Sequence, residues 1–139
     1  VEQKVKEYND AAWHSGILYE DCLACSPNVD YLETAYTYDE EDRRRILAAL
    51  PGADIIVFTS YFLRGNLSNR EFLEQVIAES GKPAVVVSNT PFEEISVPRN
   101  AETVIITFAT SPENIRVTAG VLFGRITPEG RMPVANGCV

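Results

Sequence analysis

Small polar side chains follow three apolar runs of the chain, at positions where they would be available to a ligand. They are Ser60, the run Ser88-Asn89-Thr90 and the pair Thr110-Ser111. Hydroxyl and amide groups both donate and accept hydrogen bonds without carrying charge. The candidate binding residues are therefore Ser60, Ser88, Asn89, Thr90, Thr110 and Ser111, and the ligand that they suit is a small polar molecule.

Side chains for nucleophilic or acid-base catalysis are scarce. His14 is the only histidine, and no Gly-x-Ser-x-Gly elbow is present. A Ser-His-Asp arrangement would therefore have to use His14 and would lack its usual nucleophile motif. Glycoside hydrolysis needs two carboxyl groups on either side of the scissile bond. Glu93-Glu94 is the acidic pair near a predicted strand end, and a solvated loop pair is its simpler interpretation. We assign no catalytic residue and expect no activity from this chain alone.

Metal and cofactor sites lack their usual motifs. Cys22 and Cys25 form a Cys-x-x-Cys without the second pair of ligands that a zinc site needs. The glycine-rich loops that bind nucleotide phosphates do not occur. We predict no metal and no cofactor, and we interpret the cysteines as buried or bystander thiols, which favours a reducing, cytoplasmic compartment.

Composition limits the class of partner. The chain has 139 residues, about one domain, and a net charge of −8. Residues 1–60 hold 12 acidic and 5 basic side chains, so they carry most of the charge. This balance argues against nucleic acid and anionic membranes as partners. Neither an apolar run long enough to span a membrane nor a signal peptide is visible, and the start at Val1 leads us to expect a fragment.

Three β-branched apolar runs predict strands over 53–59, 83–88 and 103–108. The runs are apolar at nearly every position, which is typical of parallel strands covered on both faces. Parallel strands bring their carboxyl ends to one edge of a sheet, where ligands bind in open α/β folds. The six candidate binding residues would then share one crevice.

Amphipathic helices are predicted between and after these strands. One begins at the capping-box pattern Ser68-x-x-Glu71 and ends at Gly81. Another begins at Ser111-Pro112 and ends at Gly124. The Ser111 side chain is then expected to cap the helix rather than to hold an anion.

Residues 1–52 give weaker patterns. Asp39 is placed to cap a helix that continues through 43–50. The alternation over 28–36 predicts an edge strand. Residues 1–25 are interpreted as an N-terminal helix or extension, with the helix over 11–25 and Gly16 as a weak point within it.

Alternating strands and helices with right-handed connections predict an α/β fold. The specific architecture that we expect is a three-layer α/β/α sandwich with a mostly parallel sheet, similar to flavodoxin. Residues 1–139 should form a single domain.

The end of the chain carries a longer ordered pattern: Val-Leu-Phe-Gly-x-Ile-x-Pro-x-Gly-Arg-x-Pro-Val over 121–134. Four further blocks precede it: Ala53-Asp54 before a strand, Gly81-Lys82-Pro83 before the next, Pro91, and Thr110-Ser111-Pro112. In this order, over about residues 53–134, the blocks resemble the second domain of family 3 glycoside hydrolases.

The resemblance implies a role beside a catalytic barrel, which this chain does not contain. In the β-glucosidase branch a Glu of the second domain acts as acid/base in the loop that resembles 60–67, and here that loop has no carboxylate. The chain is therefore more similar to the β-N-acetylglucosaminidase branch, whose acid/base lies in the barrel. The resemblance implies a noncatalytic domain that packs against the barrel, with carbohydrate at the shared cleft.

The alternative interpretation is a free-standing flavodoxin-like module that binds a small polar ligand. An enzyme that uses Glu93 or Glu94 is a third. An exposed apolar patch would favour the docking domain, because a lost interface leaves one.

Overall fold

The computed structural model describes residues 1–6, 13–62, 68–92 and 94–131. Its strands are β1 (Glu2–Gln3), β2 (Val5–Lys6), β3 (Trp13–His14), β4 (Glu33–Thr34), β5 (Ile56–Ser60), β6 (Ala84–Ser88) and β7 (Thr103–Ile106). Its helices are α1 (Ile17–Leu23), α2 (Glu40–Ala49), α3 (Arg70–Ser80) and α4 (Pro112–Leu122), and a short 3-10 helix (Leu50–Gly52) follows α2. The described chain is a mixed α/β fold, as predicted.

The three predicted strands form one parallel sheet in the order β5-β6-β7. Strand β6 lies in the middle and is buried along its whole length. Strand β7 has a partner on one side in the described part of the chain, and its residues are exposed or half-buried. The expected coverage on both faces thus applies to β6 more fully than to β7.

A second pair of parallel strands extends the arrangement beside β5. Strand β1 pairs with β4, with Glu2 in register with Glu33. On its other side the amino group of Val1 donates to the Val57 carbonyl at 2.8 Å, and the Thr59 N–H donates to the Val1 carbonyl at 3.1 Å. Strand β1 therefore lies between β4 and β5. Strands β2 and β3 form a separate antiparallel pair.

Side chains of the long strands alternate between two apolar clusters. In the first cluster Phe58 and Val86 pack with α2 and α3, through Ile46, Leu73 and Val76 among others. In the second cluster the described members are Leu18, Cys22, Tyr36, Tyr61, Val87, Ile115 and Ala119, so this cluster joins α1 and α4 to the strands. The strands thus have helices packed against both sets of side chains.

Helix α2 begins as its sequence predicts. The Asp39 side chain caps it by accepting the Asp42 N–H at 2.9 Å. The capping box predicted for α3 is wrong, because its N-cap is Asn69. Ser68 Oγ instead accepts the Arg70 N–H at 3.2 Å and donates to the Ile95 carbonyl at 2.6 Å.

Two predictions for the N-terminal part need correction. Trp13 and His14 belong to a strand, so the helix predicted over 11–25 is shorter and begins at Ile17. Gly16 precedes that helix with a left-handed φ of 81°, a conformation that a helix interior excludes. The strand predicted over 28–36 is reduced to Glu33–Thr34, with β1 as its partner.

Helix α4 ends in a Schellman motif at the predicted glycine. Gly124 has a φ of 65° and donates its N–H to the Val121 carbonyl at 3.0 Å. The Arg125 N–H donates to the Gly120 carbonyl at 2.8 Å, which completes the paired bonds of this motif. Ile126 packs over Gly120, where a Cβ would lie 2.6 Å from Ile126 Cδ1. The spacing of Gly120, Gly124 and Ile126 in this part of the pattern therefore serves to end the helix.

Candidate functional site

The carboxyl ends of the long strands lie at one edge of the sheet. Ser60 at the end of β5 is in register with Ser88 at the end of β6, which is in register with Ile106 of β7. The Thr107 N–H donates to the Ser88 carbonyl at 2.8 Å. The predicted strand ends therefore come together, as parallel pairing requires.

Both strand-end serines are buried. Ser88 Oγ donates to the Thr90 carbonyl at 2.8 Å and lies 2.9 Å from Ser96 Oγ. Ser60 Oγ has no hydrogen-bond partner among the described residues. Because neither side chain has exposed surface, a ligand has no access to these hydroxyls in this conformation.

Two asparagines brace the backbone, one at the segment that follows β5 and the other at the segment that follows β4. The Asn89 side-chain amide accepts the Phe62 N–H and donates to the Phe62 carbonyl, both at 2.8 Å. Asn69 donates to the Tyr36 carbonyl at 3.3 Å and accepts the Tyr38 N–H at 3.2 Å. Asn89, which the sequence suggested as a binding residue, thus uses its amide to hold the chain.

The remaining predicted binding residues are half-buried. Thr90 Oγ1 accepts the Phe92 N–H at 3.5 Å, and Ser111 Oγ accepts the Asn114 N–H at 3.4 Å as the N-cap of α4. Thr110 lies in the connection between β7 and α4. Capping by Ser111 agrees with the sequence, and the three side chains retain some exposed surface at this edge.

A buried polar network joins β1 to β5 at the same edge. The Gln3 N–H donates to Thr59 Oγ1 at 2.8 Å. The Gln3 side-chain oxygen accepts the Tyr61 N–H at 2.7 Å, and its amide nitrogen donates to the Tyr36 carbonyl. The Tyr38 hydroxyl donates to the Thr59 carbonyl at 2.6 Å. No sequence pattern indicates this network, because a glutamine in a two-residue strand has no apolar period to mark it as buried.

Two phenylalanines that the sequence analysis did not single out are exposed at this edge. Phe92 follows β6 and is 51% exposed, and Phe108 follows β7 and is 55% exposed. Phe108 has a φ of 57°, and it is the one non-glycine residue in the described part of the chain with a positive φ. Two hydrogen bonds of its neighbour Thr107 fix this conformation. The Thr107 hydroxyl donates to the Ala109 carbonyl at 2.6 Å, and the Thr107 carbonyl accepts from the Asn114 side-chain amide at 2.9 Å.

A left-handed conformation costs an ordinary residue roughly 1–2 kcal/mol. An exposed apolar ring adds no compensating burial at Phe108. Strain of this kind persists only where surrounding bonds fix it, and it is concentrated at functional positions. Phe108 is therefore the strongest single indication of function at the β6-β7 end of the edge.

A charged pair joins Lys4, which follows β1, to Glu33, the first residue of β4. Lys4 Nζ is 2.7 Å from Glu33 Oε1, and both side chains keep substantial exposure, 50% and 36%. Ser15 Oγ donates to Glu33 Oε2, and the Tyr31 hydroxyl lies 3.5 Å from the same oxygen. The hydrogen bond from Lys4, followed by that from Ser15, lowers the pKa of the Glu33 carboxyl.

This charged pair lines an open cavity of about 410 Å³, together with Ser15, Ala35 and Tyr36. The cavity is polar on the Lys4 and Glu33 side, and Ala35 with Tyr36 supplies carbon surface. The sequence does not predict this site, because Lys4 lies in the N-terminal helix or extension predicted over residues 1–25.

A larger groove of about 760 Å³ lies at the opposite, amino end of the strands. Ile55, Tyr31 and Phe123 line it and are exposed, and apolar side chains such as Leu50 and Val85 form its inner surface. Exposed apolar groups are thus present at both ends of the sheet.

The other groups considered for catalysis or metal binding do not combine into a site. In the described part of the chain no cluster of His, Cys, Asp and Glu has the geometry of a metal site. Burial raises the pKa of the Cys22 thiol to about 11, which makes it a poor nucleophile. Cys25 is also a free thiol. Glu94 is exposed, and Glu93 lies outside the described residues.

Comparisons give no relative from which to transfer a function. The chain matches no protein-family model, no curated protein and no solved structure. None of the helices within the described residues is long and apolar enough to cross a membrane.

Proposed function

We propose that this chain is a noncatalytic α/β domain that packs against a catalytic barrel, as the second domain of family 3 glycoside hydrolases does. The branch that it resembles is that of the β-N-acetylglucosaminidases. The proposal rests on the ordered motifs over residues 53–134 and on the exposed, strained Phe108.

The strand arrangement supports the flavodoxin-like part of the proposal. The order β4-β1-β5-β6-β7 follows from the ladders together with the two backbone bonds of Val1, and neighbouring strands are parallel. If β1, β4, β5, β6 and β7 are renumbered 1 to 5 along the chain, their order in the sheet is 2-1-3-4-5, which is the order of flavodoxin-like sheets. Helices α2 and α3 share one apolar cluster and α1 and α4 the other, which supports a three-layer α/β/α arrangement.

Phe108 is the observation that carries the docking role. Aromatic side chains dominate the binding energy of protein interfaces, where they fill pockets of the partner. Here a bulky ring is fixed in a costly backbone conformation and points its surface to solvent, with Phe92 exposed on the adjacent strand end. Both features are explained if a partner covers this edge.

The alternative, a free-standing module that binds a small polar ligand at Ser60, Ser88, Asn89 and Ser111, has less support. Ser88 and Asn89 are used in internal hydrogen bonds, Ser60 is buried, and Ser111 caps a helix. The third interpretation is an enzyme that uses Glu93 or Glu94. It would require that the isolated chain hydrolyses a glycoside and that Glu94→Gln abolishes this activity.

The first test is the genomic reading frame upstream of Val1. We expect it to encode a barrel of about 200–350 residues with its own catalytic carboxylate. A frame without a barrel would overturn the proposal for this protein.

The second test measures association between the separately produced barrel and the 139-residue chain by calorimetry. We expect Phe108→Gly to weaken association about tenfold or more, because it removes an aromatic anchor. The urea concentration at which this variant unfolds should equal or exceed that of wild type, since glycine accepts a positive φ without strain. Ile55→Ala is the matched control, because Ile55 is 53% exposed at the opposite end of β5. Equal affinity of Phe108→Gly and wild type would contradict the assigned docking edge.

A further inference from the structure

We propose that the cavity beside Lys4 and Glu33 binds a small uncharged molecule with neighbouring hydroxyl groups, such as a sugar or another polyol. The proposal goes beyond the docking role, because the cavity belongs to this chain alone. It concerns a different part of the edge from Phe92 and Phe108.

The cavity lies beside β1 and β4, and β1 also borders the point, between β1 and β5, where the strand order changes direction. The chain passes from β1 to β4 on one side, and the next strand, β5, lies on the other side of β1. Connections that leave adjacent strands in opposite directions open a crevice outside their carboxyl ends, which is the usual ligand position in open parallel sheets. Lys4 follows β1 directly and Ala35 follows β4 directly, so both line the cavity from that edge.

The charges of the cavity favour a neutral ligand. The pair of Lys4 and Glu33 has no net charge, and each charge is already compensated by the other at 2.7 Å. An anion would compete with Glu33 for the ammonium group, and a cation would compete with Lys4 for the carboxylate. An uncharged ligand leaves the ion pair intact.

Hydrogen-bonding capacity remains after the internal bonds are made. The Lys4 ammonium has three N–H donors, and it pairs with Glu33 Oε1. Glu33 Oε2 accepts from Ser15, whereas Oε1 keeps one lone-pair direction. One hydroxyl of a diol can accept from Lys4 while its neighbour donates to Glu33, and Ala35 with Tyr36 provides contact for the carbon skeleton.

The state of the carboxyl supports its role as an acceptor. Its pKa is lowered by Lys4 and Ser15, so Glu33 is ionised throughout the neutral range. Hydrogen bonds to a charged acceptor are stronger than those between neutral groups.

The test is a titration of the 15N-labelled chain with D-glucose, N-acetyl-D-glucosamine and glycerol, followed by amide chemical shifts. Sodium acetate and methylammonium chloride at the same concentrations serve as charged probes. We expect saturable shifts at Lys4, Ser15 and Ala35 with at least one polyol and none with the charged probes. Saturation with acetate alone would show an anion site, and the absence of saturation with every polyol would overturn the proposal.

Variants separate the ion pair from general surface effects. Glu33→Gln and Lys4→Met should each weaken polyol binding about tenfold, the loss expected for a hydrogen bond to a charged group. Glu41→Gln is the matched control, because Glu41 forms an exposed ion pair with Arg44 on α2, away from the cavity. Urea unfolding of each variant verifies that it is folded. Unchanged affinity in Glu33→Gln would overturn the assignment, whatever the fate of the barrel-docking proposal.

Discussion

At the scale of single residues, two buried tyrosines differ in one hydrogen bond. The hydroxyl of Tyr38 donates to the Thr59 carbonyl at 2.6 Å, whereas that of Tyr61 has no hydrogen-bond partner among the described residues. Both rings are buried, and burial raises the pKa of both phenols. An unsatisfied buried polar group costs about 1–3 kcal/mol, so the Tyr61 hydroxyl is a net destabilising group.

We therefore expect opposite effects from the same substitution at these two sites. Tyr61→Phe should raise the free energy of unfolding by about 1 kcal/mol, because it removes an uncompensated hydroxyl. Tyr38→Phe should lower it by a similar amount, because it leaves the Thr59 carbonyl without that donor. Urea unfolding at pH 7 measures both. A loss of stability in Tyr61→Phe would mean that a water or a ligand binds that hydroxyl in solution.

At the scale of elements, the sequence predicts the strands and helices that are long enough to show an apolar period. Strands β5, β6 and β7 and helix α4 follow from runs of four or more apolar positions and from capping residues such as Ser111. Strand β1 has only the two polar residues Glu2 and Gln3, so no period distinguishes it, and the alternation over 28–36 predicts β4 but not its reduction to Glu33–Thr34. Both strands depend on tertiary hydrogen bonds, and the cavity beside Lys4 was missed for the same reason.

The wrong start predicted for α3 has a tertiary cause. Ser68-x-x-Glu71 has the residue types of a capping box, yet Asn69 occupies the N-cap because its amide is held by Tyr36 and Tyr38. A tertiary contact thus shifted the start of α3 by one residue. For the binding residues, the sequence identified the correct strand ends but not the internal bonds that use Ser88 and Asn89.

The end of α4 gives a test of the terminal pattern. Gly124 has a φ of 65° with no atom near its missing side chain, so Gly124→Ala should cost about 1 kcal/mol from backbone strain alone. Gly130→Ala is the control, because Gly130 also has open space around it and no left-handed φ. Thermal or urea unfolding should separate the two variants. Equal stability would mean that the helix stop contributes little to the fold.

At the scale of the whole molecule, stability depends on pH through a buried carboxyl that connects separate elements. Glu2 of β1 is buried and accepts the N–H groups of Leu18 and Tyr19 from α1, both at 3.2 Å. Desolvation raises its pKa above the ordinary 4.5, and these two N–H groups offset part of the increase. The folded protein therefore binds a proton at Glu2 more tightly than the unfolded chain does.

The sign of the pH dependence follows from this difference. Between pH 4.5 and the raised pKa the folded state holds more protons than the unfolded state, so the contribution of Glu2 falls as pH rises. The contribution is complete below the ordinary pKa and lost above the raised one. The buried amino group of Val1 acts in the opposite direction, because burial lowers its pKa to about 6 and its contribution grows as pH rises from about 6 to 8.

A comparison of wild type with Glu2→Gln tests the carboxyl together with its coupling to the Val1 amino group, whose pKa the Glu2 charge raises. The side-chain amide of the Glu2→Gln variant has one acceptor oxygen, so it keeps only one of the two hydrogen bonds from α1. The cost of this loss does not change with pH. We expect the unfolding free energy of the variant to improve relative to wild type as pH rises from 4.5, and then to become constant. Urea unfolding between pH 4.5 and 8 measures this difference, with the exposed Glu41→Gln as control. A difference that stays constant, or that changes in the opposite direction, would show that Glu2 is solvated or paired in solution, and that the contact between β1 and α1 is looser than its hydrogen bonds indicate.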